Sequence, residues 1–326
     1  MKKTCFLKLV NVIAVCSLIL GLSQFSFAGG GSDEKRCETQ YPVVLVHGMG
    51  WKDVGSVVEY FYEIPETLTD EGARAFSANQ LSFAGHEQSA ITLVPVISEI
   101  LAVTGSDKVN IIAHSQGGPM VRFMLENLTI PMPDGTNPMA YEVVASFTSI
   151  SAPHRGTPIC DAKVGLFPEG GIPNDILTGA LDAVTGVIWG ESTDSERAFV
   201  ETSQAYMQNV FNVENTVVGD SNGGYHNNVY YQSYAGNMTG PTLNALLFGP
   251  THILIAAYDG FNTQTDGFVS IDSAKFGIYK GTIDGSWWAG GVDHAYEINQ
   301  FYGMTTGFDA KEFYIDLVED LKNMGF

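Results

Sequence analysis

Three short apolar runs constrain the fold of this chain most strongly. Apolar residues dominate Pro42–His47, Lys108–Ala113 and Tyr141–Ile150. This composition is typical of strands in a sheet whose two faces are both covered. Helical patterns at Ile91–Val103 and Pro119–Glu126 separate the runs. The alternation predicts an α/β fold with a mostly parallel central sheet and helices on both faces.

Three further segments extend this pattern. Ala75–Leu81 and Asn228–Ala235 are strand candidates, and Ala310–Lys322 has the apolar spacing of an amphipathic helix. The chain has 326 residues, of which 45% are hydrophobic, so it can bury a large core. It contains neither repeats nor charge blocks nor low-complexity linkers. We therefore expect one domain with an insertion rather than two domains.

The N-terminus has the pattern of a secretory signal peptide. Lys2 and Lys3 precede an apolar run over Cys5–Leu22, and Ser26-Phe27-Ala28 places small residues before a cleavage site. An uncleaved anchor is the alternative, but the unbroken apolar stretch is short for a bilayer span. We expect residues 1–28 to be removed and residues 29–326 to form a single domain secreted through the periplasm.

The acidic composition excludes one class of partner. Lys and Arg number 16 against 36 Asp and Glu, for a formal charge of −20. Such a surface repels phosphate backbones, so nucleic acid is not an expected partner. Anionic membranes are disfavoured for the same reason, whereas neutral lipid is not.

Two cysteines, Cys37 and Cys160, remain after cleavage. Cys37 precedes one predicted strand and Cys160 follows another, which in a parallel sheet separates them by about 17–20 Å. A disulfide requires Cα atoms within about 7 Å. The sequence therefore favours two free thiols, although export permits a bridge.

The segment Ala113-His114-Ser115-Gln116-Gly117 carries the strongest chemical signal. It follows a predicted buried strand and begins a helix, as in the G-x-S-x-G nucleophile elbow, with alanine at the first small position. The tight turn would present the Ser115 hydroxyl above the sheet. An ordinary capping serine is the structural alternative. The buried strand and the following helix favour a nucleophile.

A nucleophilic serine needs an oxyanion hole and a base. His47-Gly48-Met49-Gly50 directly follows the first apolar run. The backbone N–H groups of Met49 and Gln116 are the expected oxyanion donors, and the His47 side chain is expected to anchor this loop.

The remaining members of a triad should follow in the order acid, then histidine. His294 lies after the last strand-like segment and before the terminal helix, so it is the expected base, whereas His252 is expected in the core. Asp266 in Thr265-Asp266-Gly267-Phe268-Val269 is the expected acid, with Asp259 as the alternative. Asp293 is too close in sequence to reach the ring of its neighbour.

Several ordered motifs resemble the Pseudomonas-type secreted triacylglycerol lipases, bacterial lipase family I. The similarity extends over most of residues 29–326. The segments that carry it are Tyr41–Met49, Phe61–Pro65, Val109–Pro119, Ala152–Gly156, Thr265–Val269 and His294–Gly303. The resemblance implies an α/β-hydrolase fold, ester hydrolysis by Ser115, His294 and Asp266, and a mobile helical lid.

The lid implied by the resemblance falls in an insertion at about residues 165–200. Within it, Ile176–Trp189 has an apolar stripe opposite a polar face, with Asn174 able to cap its start and Gly190 able to end it. A surface helix packed on the core is the alternative. Opening of a lid would expose the apolar face to an oil–water interface.

The sequence departs from the resembled family at its structural calcium site. The family has an aspartate two residues after the catalytic histidine, where this chain has Tyr296, and a second near Phe248-Gly249, where this chain has none. Only Gln300 matches a ligand position, through its backbone carbonyl. Because Ca²⁺ requires many oxygen ligands, we expect the site to be absent or rebuilt and no cofactor to be required.

Two other family features have no counterpart. The family's disulfide is missing because no cysteine follows Cys160, and its arginine that supports the oxyanion loop is replaced near Gln88-Ser89. These departures argue against dependence on a dedicated secretion chaperone.

The sequence predicts a secreted serine ester hydrolase, most specifically a triacylglycerol lipase. A carboxylesterase or polyester hydrolase would use the same triad without interfacial activation. A secreted binding protein would retain the triad only as a relic. A metal-dependent hydrolase lacks a histidine pair at ligand spacing on a helix.

Overall fold

A mostly parallel sheet forms the centre of the protein. The structure, a computed structural model, describes residues 35–50, 59–166, 195–217, 224–259 and 263–326. Seven strands lie in this described part: β1 (Val43–Val46), β2 (Ala75–Ser77), β3 (Val109–His114), β4 (Val144–Ile150), β5 (Tyr225–His226), β6 (Val229–Gly236) and β7 (Ile278–Ile283).

Helices connect these strands. The α-helices are α1 (Ile64–Asp70), α2 (His86–Thr104), α3 (Gly117–Asn127), α4 (Pro158–Lys163), α5 (Ser195–Thr202), α6 (Gln204–Tyr206), α7 (Asn212–Glu214), α8 (Ala245–Asp259), α9 (Ile271–Ala274) and α10 (Ala310–Asn323). A π-helical turn, Met207–Phe211, joins α6 to α7. Short 3₁₀ turns cover Ala140–Glu142, Trp287–Ala289 and Tyr296–Ile298.

The strand order is β2-β1-β3-β4-β6, and every neighbouring pair in this series is parallel. β7 also pairs in parallel with β6, whereas the short β5 forms an antiparallel hairpin with it. The carboxyl ends of β1, β3 and β4 therefore lie along one edge of the sheet. This edge is the usual place for a ligand site in an open α/β sheet.

Alternate residues of the central strands pack on opposite faces. Val44 and Val46 of β1 join a core cluster with α2 and α3. Val43 and Leu45 join a second cluster with α1 and α10. Because successive side chains of a strand point to opposite faces, a strand covered on both sides must be apolar throughout. The prediction of helices on both faces is confirmed.

The predicted elements occur with shifted bounds. The expected strand at Ala75–Leu81 is only three residues long, and the expected helix at Ile91–Val103 begins earlier, at His86. β7 and α8 were missed. β7 has a mixed, half-buried pattern, and α8 contains Gly249 and Pro250, which usually mark a loop.

One helix among the described residues, α2, is long and apolar enough to cross a membrane by length and composition alone. Its residues Leu93, Ile97 and Leu101 are fully or almost fully buried against the sheet and α3. This packing is that of a core helix in a globular domain.

Cys37 and Cys160 are both free and buried, as the strand geometry favoured. They lie in different core clusters, Cys37 beside α10 and Cys160 in α4. Burial raises the pKa of the Cys37 thiol to about 12. The predicted signal peptide (residues 1–28) and the predicted lid helix (Ile176–Trp189) lie outside the described residues.

Candidate active site

The turn between β3 and α3 presents Ser115 at the edge of the sheet. Ser115 has a φ of 56°, in the left-handed region that residues with a side chain rarely adopt. The turn is close to β1: a Cβ on Gly117 would lie 2.7 Å from the Val46 carbonyl oxygen. Only glycine fits there, which explains the small residue two positions after the serine. Ala113, two positions before it, is completely buried in the core.

His294 connects Ser115 to Asp266 by hydrogen bonds. Its Nδ1 donates to Asp266 Oδ2 over 2.6 Å, and its Nε2 lies 2.9 Å from Ser115 Oγ. Asp266 Oδ1 accepts two backbone N–H groups, from Phe268 (2.8 Å) and Val269 (2.7 Å). The buried acid is thus fixed on one oxygen and directs the other to the imidazole. The structure brings together the three side chains that the sequence selected.

Aromatic rings hold the His294 imidazole. Phe268 stacks on it with ring centroids 5.1 Å apart, Phe248 meets it edge-on, and His114 packs against it at 4.4 Å. These contacts restrict rotation of the ring and leave His294 only 11% exposed.

The alternative residues lie elsewhere. Asp259 is exposed at the end of α8, and His252, expected in the core, is only half-buried on the same helix. Asp293 accepts backbone N–H groups from Ala295 and Tyr296, each over 3.0 Å. It therefore holds the loop that contains His294 and does not bond to its ring.

The loop after β1 lies directly beside the serine. A Cβ on Gly48 would lie 2.6 Å from Ser115 Cβ and 3.1 Å from the Gln116 nitrogen. His47 anchors the loop through Nδ1 and the Gly48 carbonyl (2.9 Å), and Gln80 donates to the His47 carbonyl (2.8 Å). The N–H groups of Met49 and Gln116 take no part in the turn and loop hydrogen bonds of the described chain.

A largely apolar pocket opens at Ser115 and His294. Its empty volume is about 610 Å³. The apolar residues that line it are Met49, Phe199, Leu247, Phe248, Phe268, Ala295, Ile298 and Phe301. An apolar pocket with a few converging polar groups is typical of small-molecule binding.

A buried polar network that sequence reasoning missed lies behind His294. Glu297 Oε2 bonds to His114 Nε2 (2.8 Å), and Tyr60 OH lies 2.8 Å from His114 Nδ1. Ser151 donates to Glu297 Oε1 (2.6 Å). Glu297 Oε2 also lies 4.0 Å from His294 Nδ1. The available sequence signal was a glutamate three residues after the expected base.

Burial disfavours the charged forms of this network. It raises the pKa of Glu297 well above its usual value, and the nearby Asp266 charge adds to the effect. Burial also lowers the pKa of His114 well below its usual value. A neutral acid beside a neutral imidazole avoids the large cost of placing charges in the interior. Asp266 is thus the carboxylate that directly partners His294.

Possible metal ligands come together at one place among the described residues, and the resemblance points to a second. His114, His294 and Glu297 bring possible ligand atoms within 4.8 Å of one another. The side chains of all three residues already take part in the hydrogen bonds described above. Where the resembled family binds calcium, the Tyr296 hydroxyl accepts the Leu243 N–H (3.2 Å), and Asp293 serves as a backbone acceptor.

Comparisons with known proteins find serine esterases and lipases among the similar sequences. A family model described as "Putative serine esterase (DUF676)" matches residues 38–165. A triacylglycerol lipase of Vibrio cholerae is 32% identical over 178 residues, which cover 52% of this chain and 53% of that lipase. The chain thus spans about half the length of that relative. A triacylglycerol lipase of Pseudomonas fragi is 27% identical over 88% of this chain and 98% of its own.

Solved structures establish the architecture. The mature Bacillus licheniformis lipase BlEst2 superposes with a TM-score of 0.57 at 16% identity, over 90% of this chain and 96% of its own. Lipase 1 from Pelosinus fermentans gives a TM-score of 0.58 at 17% identity, over 87% and 99%. The fold is the α/β-hydrolase fold. In this chain Ser115 lies in the turn between β3 and α3, and His294 lies in the loop before α10.

Proposed function

We propose that the protein is a carboxylic ester hydrolase in which Ser115, His294 and Asp266 act as a catalytic triad. The observation that carries the proposal is the pair of hydrogen bonds that connects His294 to both partners at the mouth of an apolar pocket. The family model for serine esterases and the names of the relatives support the same reaction class.

The proposed reaction is a two-step acyl transfer. Ser115 Oγ attacks the ester carbonyl while His294 Nε2 takes its proton, and Asp266 fixes the tautomer and stabilises the imidazolium. The N–H groups of Met49 and Gln116 stabilise the oxyanion. His294 then protonates the leaving alcohol. Water, activated by the same imidazole, releases the acid and regenerates the serine.

We propose a triacylglycerol as the substrate class. The apolar side chains of the pocket favour a hydrocarbon acyl chain, since burial of apolar surface contributes about 25 cal/mol per Å². The Vibrio and Pseudomonas relatives are both named triacylglycerol lipases. Neutral lipid at an oil–water interface is therefore the expected partner. Soluble or polymeric esters are the competing substrates.

The finer features of the resemblance belong to the same proposal. We propose a Pseudomonas-type lipase that is exported after cleavage behind Ala28, that requires no calcium and that folds without a dedicated chaperone. Tyr296 stands where the resembled family has a calcium ligand, which supports the proposal that no calcium is required. The lid helix predicted within residues 165–200 stays a prediction.

The deciding experiment measures fatty-acid release from emulsified long-chain triglyceride by the chain that begins at Gly29. Ser115→Ala is assayed in parallel, and both proteins are tested with and without EDTA. We expect release by the wild type alone, unchanged by EDTA. Hydrolysis of a soluble short-chain ester without release from the emulsion would assign an esterase or polyester hydrolase instead.

A second measurement separates an enzyme from a binding protein. An organophosphonate should label the wild type at Ser115 and leave Ser115→Ala unmodified. A folded wild type that neither reacts with the phosphonate nor cleaves either ester would refute the proposed activity.

A further inference from the structure

A second pocket, separate from the catalytic one, gathers basic side chains in a strongly acidic protein. Its empty volume is about 640 Å³, and it shares no lining residue with the pocket at Ser115. Its lining comes from α3, the loop after β4, α7 and the turn before β7. The lining residues are Arg122, His154, Arg155, Asn212, Lys275, Phe276 and Gly277.

Arg122 is a buried basic residue that lines this pocket. It is 2% exposed, and its guanidinium donates to Asn212 Oδ1 (2.9 Å) and the Asn215 carbonyl (3.0 Å). Its Nε–H has no hydrogen-bond partner within the described residues. Burial of an unsatisfied donor of a charged group is unfavourable, so the Nε–H without a partner needs an explanation.

His154 presents a second unsatisfied atom. Its ring is 2% exposed, its Nε2 lies 2.9 Å from Ser149 Oγ, and its Nδ1 has no partner among the described residues. If the Ser149 hydroxyl donates to Nε2, Nδ1 carries a proton and becomes a donor. The aromatic ring of Phe276 packs against both side chains: the His154 ring stacks on it with centroids 4.4 Å apart, and the Arg122 Cζ lies 4.5 Å from its centroid.

Two further cations lie at the same pocket. Arg155 donates to the Lys275 carbonyl (3.2 Å) and to the Asp272 carbonyl, and Lys275 pairs with Asp272 Oδ1 (2.6 Å). The acidic groups that face these cations are Asp272 and Glu126, the latter next to Arg122. Three cations against two carboxylates leave an excess positive charge in a chain of formal charge −20.

We infer that this pocket binds a small oxyanion, specifically a phosphate or phosphoryl group. A guanidinium and a neutral imidazole N–H are donors suited to phosphate oxygens, and both residues with an orphaned nitrogen line the pocket. Burial of the ring, and then the charges of Arg122 and Arg155, lower the pKa of His154 well below its usual value, which favours the neutral imidazole. The inference is independent of the proposed esterase activity.

Isothermal titration calorimetry with inorganic phosphate tests the inference directly. The chain from Gly29 is titrated at pH 7 and constant ionic strength, and in a second arm with a short-chain phosphatidic acid below its micelle concentration. We expect saturable binding at one site. Phosphate binding identifies the free ion as a ligand, whereas binding of phosphatidic acid alone identifies a phosphoryl headgroup.

Variants place the binding in this pocket. Arg155→Gln with Lys275→Gln should weaken the affinity at least tenfold. The control pair, Arg74→Gln with Lys280→Gln, removes one arginine and one lysine outside the pocket. Arg74 is exposed and Lys280 pairs with Asp320, so this pair should change the affinity less than twofold. Lys275→Gln alone is the second variant, because it removes only a surface ion pair and a ring contact.

A site-specific signal comes from His154. Its ring ¹⁵N shifts should move on addition of the titrant, with Nδ1 protonated in the bound state. Absence of saturable binding in both arms would overturn the inference. Equal weakening by the pocket pair and the control pair, or an unchanged His154 spectrum at saturation, would also overturn it.

Discussion

The substitution Asp266→Asn tests the proposed triad at the atom that the structure defines most tightly. Asp266 Oδ1 accepts two backbone N–H groups over 2.8 and 2.7 Å, while Oδ2 faces His294 Nδ1. In the variant, the amide oxygen must take the Oδ1 position, because the reversed orientation would direct an NH₂ group at two N–H donors. The NH₂ group therefore faces His294.

This orientation fixes the wrong tautomer of His294. Nδ1 becomes an acceptor, and the ring proton moves to Nε2, which lies 2.9 Å from Ser115 Oγ in the wild type. A protonated Nε2 cannot remove the serine proton. The same substitution in a serine protease triad lowers kcat about 10⁴-fold, so we expect a loss of about that size. This corresponds to about 5.4 kcal/mol of transition-state stabilisation.

The assay is steady-state hydrolysis of a soluble p-nitrophenyl ester, with the urea midpoint as a measure of folding. Asp259→Asn is the matched control, since it alters the alternative acid at an exposed position, and we expect its activity within twofold of the wild type. Glu297 is the other carboxyl near His294, 4.0 Å away, but burial raises its pKa well above its usual value. Less than a tenfold loss in a folded Asp266→Asn protein would refute this reasoning.

Two further predictions concern the surroundings of the triad. Glu297→Gln keeps the shape of the buried network and removes the titrating carboxyl group. The pKa of Glu297 in the folded protein lies above its ordinary value of 4.5. The contribution of this carboxyl group to the free energy of unfolding is therefore complete below pH 4.5 and is lost as the pH rises towards the folded pKa. The variant should gain stability relative to the wild type between pH 5 and pH 8, measured by urea midpoints; an unchanged difference would contradict the neutral state. Gly48→Ala should lower kcat about 10²–10³-fold by displacing the oxyanion loop, because its Cβ would lie 2.6 Å from Ser115 Cβ. Gly249→Ala, where a Cβ meets nothing within 4 Å, is the control and should leave the activity unchanged; equal activities of the two glycine variants would disprove a displacement.

Local pattern was enough to locate the main parts of the candidate site. The run Val109–Ala113 and the small residues around Ser115 identified a strand, a strained turn and a helix because each depends on neighbours in the chain. The order of motifs then selected Asp266 and His294. Hydrophobic pattern failed at β7, whose residues are mostly half-buried, and at α8, where Gly249 and Pro250 lie inside a helix.

The sequence by itself determined the apolar strands, the nucleophile turn and the acidic charge, since these are properties of residue type and short spacing. Only the tertiary structure placed His294 against a serine 179 positions away. It also decided that Glu297 and His114 are buried together and that Arg122 and His154 share one pocket. Burial and long-range contact set the pKa values and the unsatisfied donors, and neither is a property of a residue and its neighbours in the chain.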